Sequence, residues 1–206
     1  MDIHVKSVVE ELINKLIEIM NLPEADNAVR DFINKEYDTG MDEVEVEFEM
    51  NFLKRPERIK FLQDYTFDNI KGLNDEIKDR LRKELSVGLM NQEPISRLTK
   101  RVKDVMEIAA NRATMIARTE SNRAMNWGRL DGALQSDIVK KKWLLVKEDF
   151  RTSKICAAMK VKYGDPSKAI ALDKTFRVVV DGKIYQGPSP PFHPNERTRL
   201  MFSQDG

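Results

Sequence analysis

Phe176-Arg177-Val178-Val179-Val180-Asp181-Gly182-Lys183-Ile184-Tyr185 is two β-rich runs joined by an Asp-Gly pair. Asp181 and Gly182 suit the positive φ angles of a tight two-residue turn, so the stretch predicts a β-hairpin. Upstream, Lys142-Trp143-Leu144-Leu145-Val146 reads as a strand, and Ser153 to Met159 as a short helical turn. Downstream, Gly187-Pro188-Ser189-Pro190-Pro191 has an ordered-loop composition, and Arg199 to Phe202 adds a final strand. Together these predict a small α+β module over residues 138–206, with Trp143, the Asp181-Gly182 turn and the proline loop holding its shape.

Further towards the N-terminus the period changes to that of helices. Phe67, Ile70, Leu73, Ile77, Leu81, Leu85 and Leu89 fall on one face of a helix starting at Thr66. Gly88 and Asn91 loosen its end. Pro94 suits a first helical turn, and Ile95, Leu98, Val102 and Met106 give the next apolar stripe, antiparallel to the first. A third helix is expected from Arg112 to about Ser136, with Ala113, Ile116, Ala117, Glu120, Ala124, Trp127 and Leu134 near one side. Glu120 in that stripe needs a partner, which Arg118, Arg123 or Arg129 could supply.

Before residue 62 the reading is an acidic N-terminal segment. Val5 to Met20 predicts a helix ending before Pro23, and a short second helix is expected from Glu24 to Lys35. Glu43-Val44-Glu45-Val46-Glu47-Phe48-Glu49-Met50 alternates strictly, which predicts a strand with one acidic face. Such a strand either pairs within the chain or offers itself to another subunit. The expected division is therefore an acidic segment (1–62), a helical domain (63–137) and the α+β module (138–206). The fold class is α+β, an N-terminal helical bundle followed by a small module with a β-hairpin.

Residues 1–60 carry 8 basic and 15 acidic side chains and the remainder 27 and 19, although the whole chain is near neutral at +1. The asymmetry could steer a partner or contact phosphates. No apolar run approaches the roughly 20 residues needed to span a bilayer. The N-terminus has neither the basic region nor the cleavage site of a signal peptide, so the chain is expected in the cytoplasm where it is made. One cysteine cannot form an internal disulfide.

That cysteine, Cys156, and His193 sit near opposite ends of the stretch from Asp149 to Pro194, where a structural metal would be sought. A structural zinc wants four N or S donors. Only Cys156 and His193 are good ones; Glu196 could add an oxygen, and Ser153 is a poor ligand. The expectation is a metal-free module, with no cofactor and no catalytic residue, because no acid/base pair or oriented nucleophile is apparent. Asp149 and Arg151 are expected to fix their loop by a charge-assisted pair or by binding neighbouring backbone groups.

Ile116-Ala117-Arg118-Thr119-Glu120 with Ala124, Asn126 and Gly128, then Lys142-Trp143, Asp149-Phe150-Arg151-Thr152, Ile155-Cys156-Ala157-Ala158-Met159 and Pro191-Phe192-His193-Pro194-Asn195 carry a resemblance in their order and spacing. Over roughly residues 65–203 the chain resembles the bacteriophage Mu F-like minor head proteins, the phage head morphogenesis family. The resemblance implies a virion component associated with the portal vertex or inner capsid, acting in head assembly and genome delivery. It also implies no enzymatic activity through this domain. Its partners would be portal, capsid or scaffold proteins, with self-association and genomic DNA as further candidates and no membrane signal. The alanine-rich helix with Arg118 and Glu120, which also carries Trp127, corresponds to the family's helical motif, and Trp143 opens its C-terminal module; Trp127, Trp143, Asp149, Arg151, Asp181 and Gly182 are expected in structural or interaction roles. Many relatives resemble a zinc-binding pattern at the positions of Ser153, Cys156, Glu196 and Thr198, with cysteines where this chain has serine, glutamate and threonine. An alternative reading is an internal virion protein that binds packaged or ejected DNA, motivated by Lys140-Lys141-Lys142 and the helix arginines.

Overall fold

The computed structural model describes residues 24–204 apart from Gln92. The helix expected near residues 5–20 lies outside them. Helices α1 (Glu24–Phe48), α2 (Pro56–Met90) and α3 (Ile95–Ala133) come first. Strand β1 (Val139–Leu145), helix α4 (Lys154–Tyr163), a 3-10 turn (Pro166–Lys168) and strands β2 (Ile170–Ala171), β3 (Phe176–Val180), β4 (Lys183–Gly187) and β5 (Arg199–Gln204) follow. The architecture is α+β, as the sequence predicts. Among the described residues, no helix is long and apolar enough to cross a membrane.

Contacts group the chain into two units, one including Tyr65–Ile116 and the other made of Arg30–Asp64 and Ala117–Gly206. In this grouping the end of α3 goes with the module. In the first unit α2 and α3 run antiparallel and bury Leu73, Ile77 and Leu81 against Val105 and Ala109. Their order is written in the ion pairs: Glu76 meets Arg112, whereas Glu84, further along α2, meets Arg101, earlier on α3. Pro56 starts α2 ten residues before the predicted Thr66, and α3 is one helix where the sequence suggested a break before Arg112.

The second unit holds the larger core, in which Val44, Leu130, Leu144, Met159, Phe176, Leu200 and Phe202 are buried together. The antiparallel order β2-β1-β5 makes one sheet, and β3-β4 is the predicted hairpin. Val180 pairs with Lys183 across a turn in which Asp181 (φ 49°) and Gly182 (φ 76°) are both left-handed. Period-2 alternation in β1 turns Lys142 inward together with Leu144. Its Nζ donates to the Pro188 carbonyl at 2.9 Å and stands 5.4 Å from the Phe176 ring centre. Lys142 is thus fully buried, and the lysine triplet presents only Lys140 and Lys141 to solvent.

The predicted strand over 43–50 is corrected: these residues end α1. Alternation at period 2 also places residues four apart on one helical face. Glu43 and Glu47 bind the fully buried Arg129 at 2.7 and 3.0 Å, while Val44 is buried and Phe48 packs edge-on against Phe202. Val46, between them, is 80% exposed. The second helix is accordingly much longer than Glu24 to Lys35.

Two glycines let α1 and α3 approach backbone to backbone. A Cβ on Gly128 would lie 2.0 Å from the Tyr37 carbonyl oxygen, and one on Gly40 would lie 1.9 Å from that of Met125. Beside this crossing, the fully buried Asp131 accepts from Tyr37 Oη at 2.8 Å and Arg58 Nε at 3.3 Å. Burial and the neighbouring Asp131 charge push the Tyr37 hydroxyl well above its ordinary pKa. The Arg58 guanidinium covers the Trp127 ring at 4.0 Å.

Candidate functional site

The polar face of α3 captures the end of the chain. Thr119, Asn122, Asn126 and Arg129 recur at spacings of three, four and three, which aligns them on one side of a helix. Thr119 Oγ1 accepts from the Asn195 backbone N–H at 2.8 Å, and Asn122 Nδ2 donates to the Glu196 carbonyl at 3.0 Å. Asn126 Nδ2 donates to the Thr198 carbonyl at 3.1 Å and its Oδ1 accepts from Leu200 N–H at 2.7 Å. Arg129 Nε donates to the Leu200 carbonyl at 2.8 Å. A helix thereby satisfies backbone groups of residues 195–200 that would otherwise be buried unpaired. The sequence reading named the apolar stripe of this helix and passed over the polar one, whose 3-4-3 spacing was the available signal.

Residues 195–200 in turn deliver Glu196 and Thr198 to the start of α4. Ser153 caps that helix: its Oγ accepts from Cys156 N–H at 3.0 Å. The cap aims Cys156 Sγ and Ser153 Oγ at one nitrogen, His193 Nε2, at 3.1 and 2.9 Å. His193 Nδ1 lies 2.8 Å from the Pro194 carbonyl oxygen, which can only accept, so Nδ1 carries a hydrogen. Glu196 Oε2 is 3.8 Å from Nε2 and accepts from the backbone N–H groups of Phe192 (2.5 Å) and His193 (3.2 Å). Thr198 Oγ1 stands 3.9 Å from the sulfur. The hydrogen bond to Cys156 raises the His193 pKa against the opposing effect of burial. Burial raises that of Cys156, but hydrogen bonds with His193 and Ser153 outweigh it and the thiol ends below its ordinary value.

The structure therefore brings Ser153, Cys156, His193 and Glu196 into one cluster. The donor atoms of Cys156, His193 and Glu196 lie within 4.8 Å of one another. A thiolate, an imidazole and a carboxylate suit a zinc-class ion with one position left to a hydroxyl or water. The sequence reading counted Cys156 and His193 as good donors and Glu196 as a further oxygen, and the fold brings all three together. Nε2, Sγ and Oε2 do not form a hydrolytic triad, since thiol and carboxylate address the same ring nitrogen while Nδ1 faces a backbone carbonyl.

Asp149 meets Arg151, as the sequence suggests, and has a stronger partner besides. Arg197 grips it through two bonds of 2.7 Å, and Arg151 adds its backbone N–H at 2.8 Å and a longer side-chain contact at 3.5 Å. The Arg197 hydrogen bonds are the main reason its carboxyl is held well below the usual carboxylate range. Asp149 N–H donates to Thr152 Oγ1 at 2.8 Å, closing the loop. Phe150, on this clamped loop, is 96% exposed. Beside it a cavity of about 550 Å³ is lined by Arg118, Arg151 and Arg197 together with His193 and Glu196. Glu120 is buried; Arg123 Nε donates to it at 2.9 Å, and burial still raises its pKa. Trp143 Nε1 donates to the Phe202 carbonyl at 3.3 Å, and Asp181 reaches back to Lys154 at 3.1 Å.

A helix whose polar face binds the backbone of a compact α+β module, with an exposed aromatic on a hydrogen-bonded loop, is the arrangement that the site presents. A family model described as Phage Mu protein F like protein matches residues 77–201. The chain belongs to that family and is a structural protein of phage head morphogenesis. The family is one of head proteins and is not known for catalysis. No curated protein and no solved structure matches the chain.

Proposed function

We propose that this protein is a minor head component that docks at the portal vertex or inner capsid surface during head assembly and is retained in the virion. The observation that carries the reading is Phe150, an almost fully exposed aromatic ring on a loop fixed by the Arg197–Asp149 fork. An exposed aromatic on a mobile loop would lose binding energy to ordering, whereas a clamped one is pre-organised for a pocket on a partner. Arg151 and Arg118 beside it favour a pocket edged by carboxylates on a portal, capsid or scaffold protein. The test is incorporation into proheads: Phe150→Ala should leave the melting temperature unchanged and reduce the amount that copurifies with the particle. Normal incorporation overturns docking through this tip, and absence of the wild-type protein from purified virions overturns retention.

The same arginine-lined cavity supports a second reading, contact with the phosphates of packaged or ejected DNA. Lys142 is withdrawn from it by burial. A phosphate-dominated mode requires affinity for duplex DNA that falls steeply with salt, and affinity unchanged between low and moderate salt rules that mode out. Cys156, His193 and Glu196 are the residues that would hold a zinc-class ion; when bound it would tie the start of α4 to the loop before β5.

A further inference from the structure

The margins of the module's two sheets are not alike. At β5, Asn126 and Arg129 take the backbone N–H and carbonyl of Leu200. β2 is only two residues long. At β3, the Tyr163 hydroxyl accepts from Arg177 N–H at 3.1 Å and donates to its carbonyl at 3.2 Å, and Lys162 Nζ reaches the same carbonyl at 3.0 Å. Short strands and side-chain cover are ways of blunting an edge. β4, five residues long, is paired with β3 alone. The Val180–Lys183 pair closes the two-residue turn and exchanges both its hydrogen bonds, so Val178–Tyr185 and Phe176–Gly187 do the same. Ile184 and Gln186 therefore aim N–H and carbonyl away from β3, where no hydrogen bond reaches them among the described residues. Beyond them Pro188 has no N–H, and Lys142 Nζ occupies its carbonyl. The open ladder thus consists of Ile184 and Gln186. Val179 and Ile184, opposite each other on the solvent face, are 57% and 54% exposed.

We infer that β4 pairs antiparallel with β4 of a second copy of this chain, about a twofold axis at Tyr185, and so joins two hairpins into one continuous sheet. The occupant follows from the register. Ile184 opposite the second copy's Gln186, and the reverse, is the alignment that uses every open N–H and carbonyl, since each such pair exchanges two bonds. It sets Lys183 against Gly187 rather than against another lysine, and β4 carries no other charge. A chain of net charge +1 does not repel its copy. The exposed Val179 and Ile184 side chains of both copies then share one face. A twofold pair is closed, whereas a foreign strand would bring a new open edge of its own. A ladder this short with a small apolar patch makes a weak, reversible contact, formed where copies are concentrated. The pairing does not depend on the Phe150 reading.

Sedimentation velocity of the full chain at rising concentration should show a reversible monomer–dimer equilibrium, and amide exchange at Ile184 and Gln186 should slow as dimer forms. Gln186→Pro removes an N–H that faces away from β3, where an edge strand accepts proline, so the melting temperature should hold. It deletes one bond from each pair and should weaken the dimer at least about tenfold. Ile184→Lys leaves the backbone intact, replaces an exposed apolar side chain by a charge in each copy, and should also weaken it. A chain that stays monomeric at its highest soluble concentration overturns the inference, even if a foreign strand binds it. So does a dimer that keeps full strength in both variants. A dimer in which the Ile184 and Gln186 amides exchange as fast as in the monomer puts the contact elsewhere and overturns it too.

Discussion

Replacing Gly128 by alanine should destabilise the protein, although alanine is the better helix former. The added Cβ would stand 2.0 Å from the Tyr37 carbonyl oxygen and 3.0 Å from Met41 N, and both are backbone atoms of α1 that cannot rotate away. Relief requires the two helices to part by about 1 Å, and overpacking of this kind costs roughly 1–3 kcal/mol or more. The helix-propensity gain of alanine over glycine returns only about 1 kcal/mol. Because Gly40 meets the backbone of Met125 at the same crossing, the strain cannot be passed to a neighbouring soft side chain. The net expectation is a loss of about 2 kcal/mol, the upper end taken for the overpacking. Urea unfolding followed by tryptophan fluorescence reads it directly, since Trp127 and Trp143 belong to the same unit as Gly128. With a slope of about 1–3 kcal/mol per molar urea, the midpoint should fall by about 1 M. Gly72→Ala is the control of opposite sign: nothing lies within 4 Å of its Cβ, so the other unit should gain up to about 1 kcal/mol by far-ultraviolet circular dichroism. A Gly128→Ala protein with a midpoint at or above wild type would refute the close-crossing argument.

Asn126→Leu should cost roughly 2–4 kcal/mol in the same unfolding assay, because it strands the buried Thr198 carbonyl and Leu200 N–H; a loss under about 1 kcal/mol would mean those groups find other partners. The Lys142 amine, its pKa lowered by burial from 10.5 to about 8, should make stability rise with pH between those values. In that window the unfolded chain still holds a proton that the folded chain has released, a gain of roughly 3 kcal/mol in full. Lys142→Met should flatten that rise, and an unchanged pH profile in the variant would exclude Lys142 as its source. Asp149→Asn should weaken the grip of Arg197 and speed amide exchange over residues 149–152 with little change in melting temperature; equal exchange rates would show that the fork does not fix the Phe150 loop.

What the sequence discloses here depends on range. The hairpin is legible because Asp181-Gly182 and the valines around it act through neighbours in the chain. The helical turn from Ser153 and the final strand are legible for the same reason. The stretch Glu43–Met50 is not, because its alternation fits a strand and a helix equally well. The deciding contact is Arg129, more than eighty residues away, which takes Glu43 and Glu47 on one helical face. Asp149 likewise points to a charged partner, but the partner with the better geometry is Arg197 rather than the adjacent Arg151. Cys156 and His193 could be suspected of meeting; Glu196 joins them only because Asn122 and Thr119 hold the segment on which it lies.

That hold has a further outcome at the edge of the sheet. Leu200 is opposite Leu144 in the β1–β5 register, and both its backbone N–H and its carbonyl turn to Asn126 and Arg129. At Leu200 the outer margin of the sheet is thus occupied by side chains. Open margins invite pairing with foreign chains. At this position the sheet is insulated against being extended, so a partner that meets it there has side chains to bind rather than backbone.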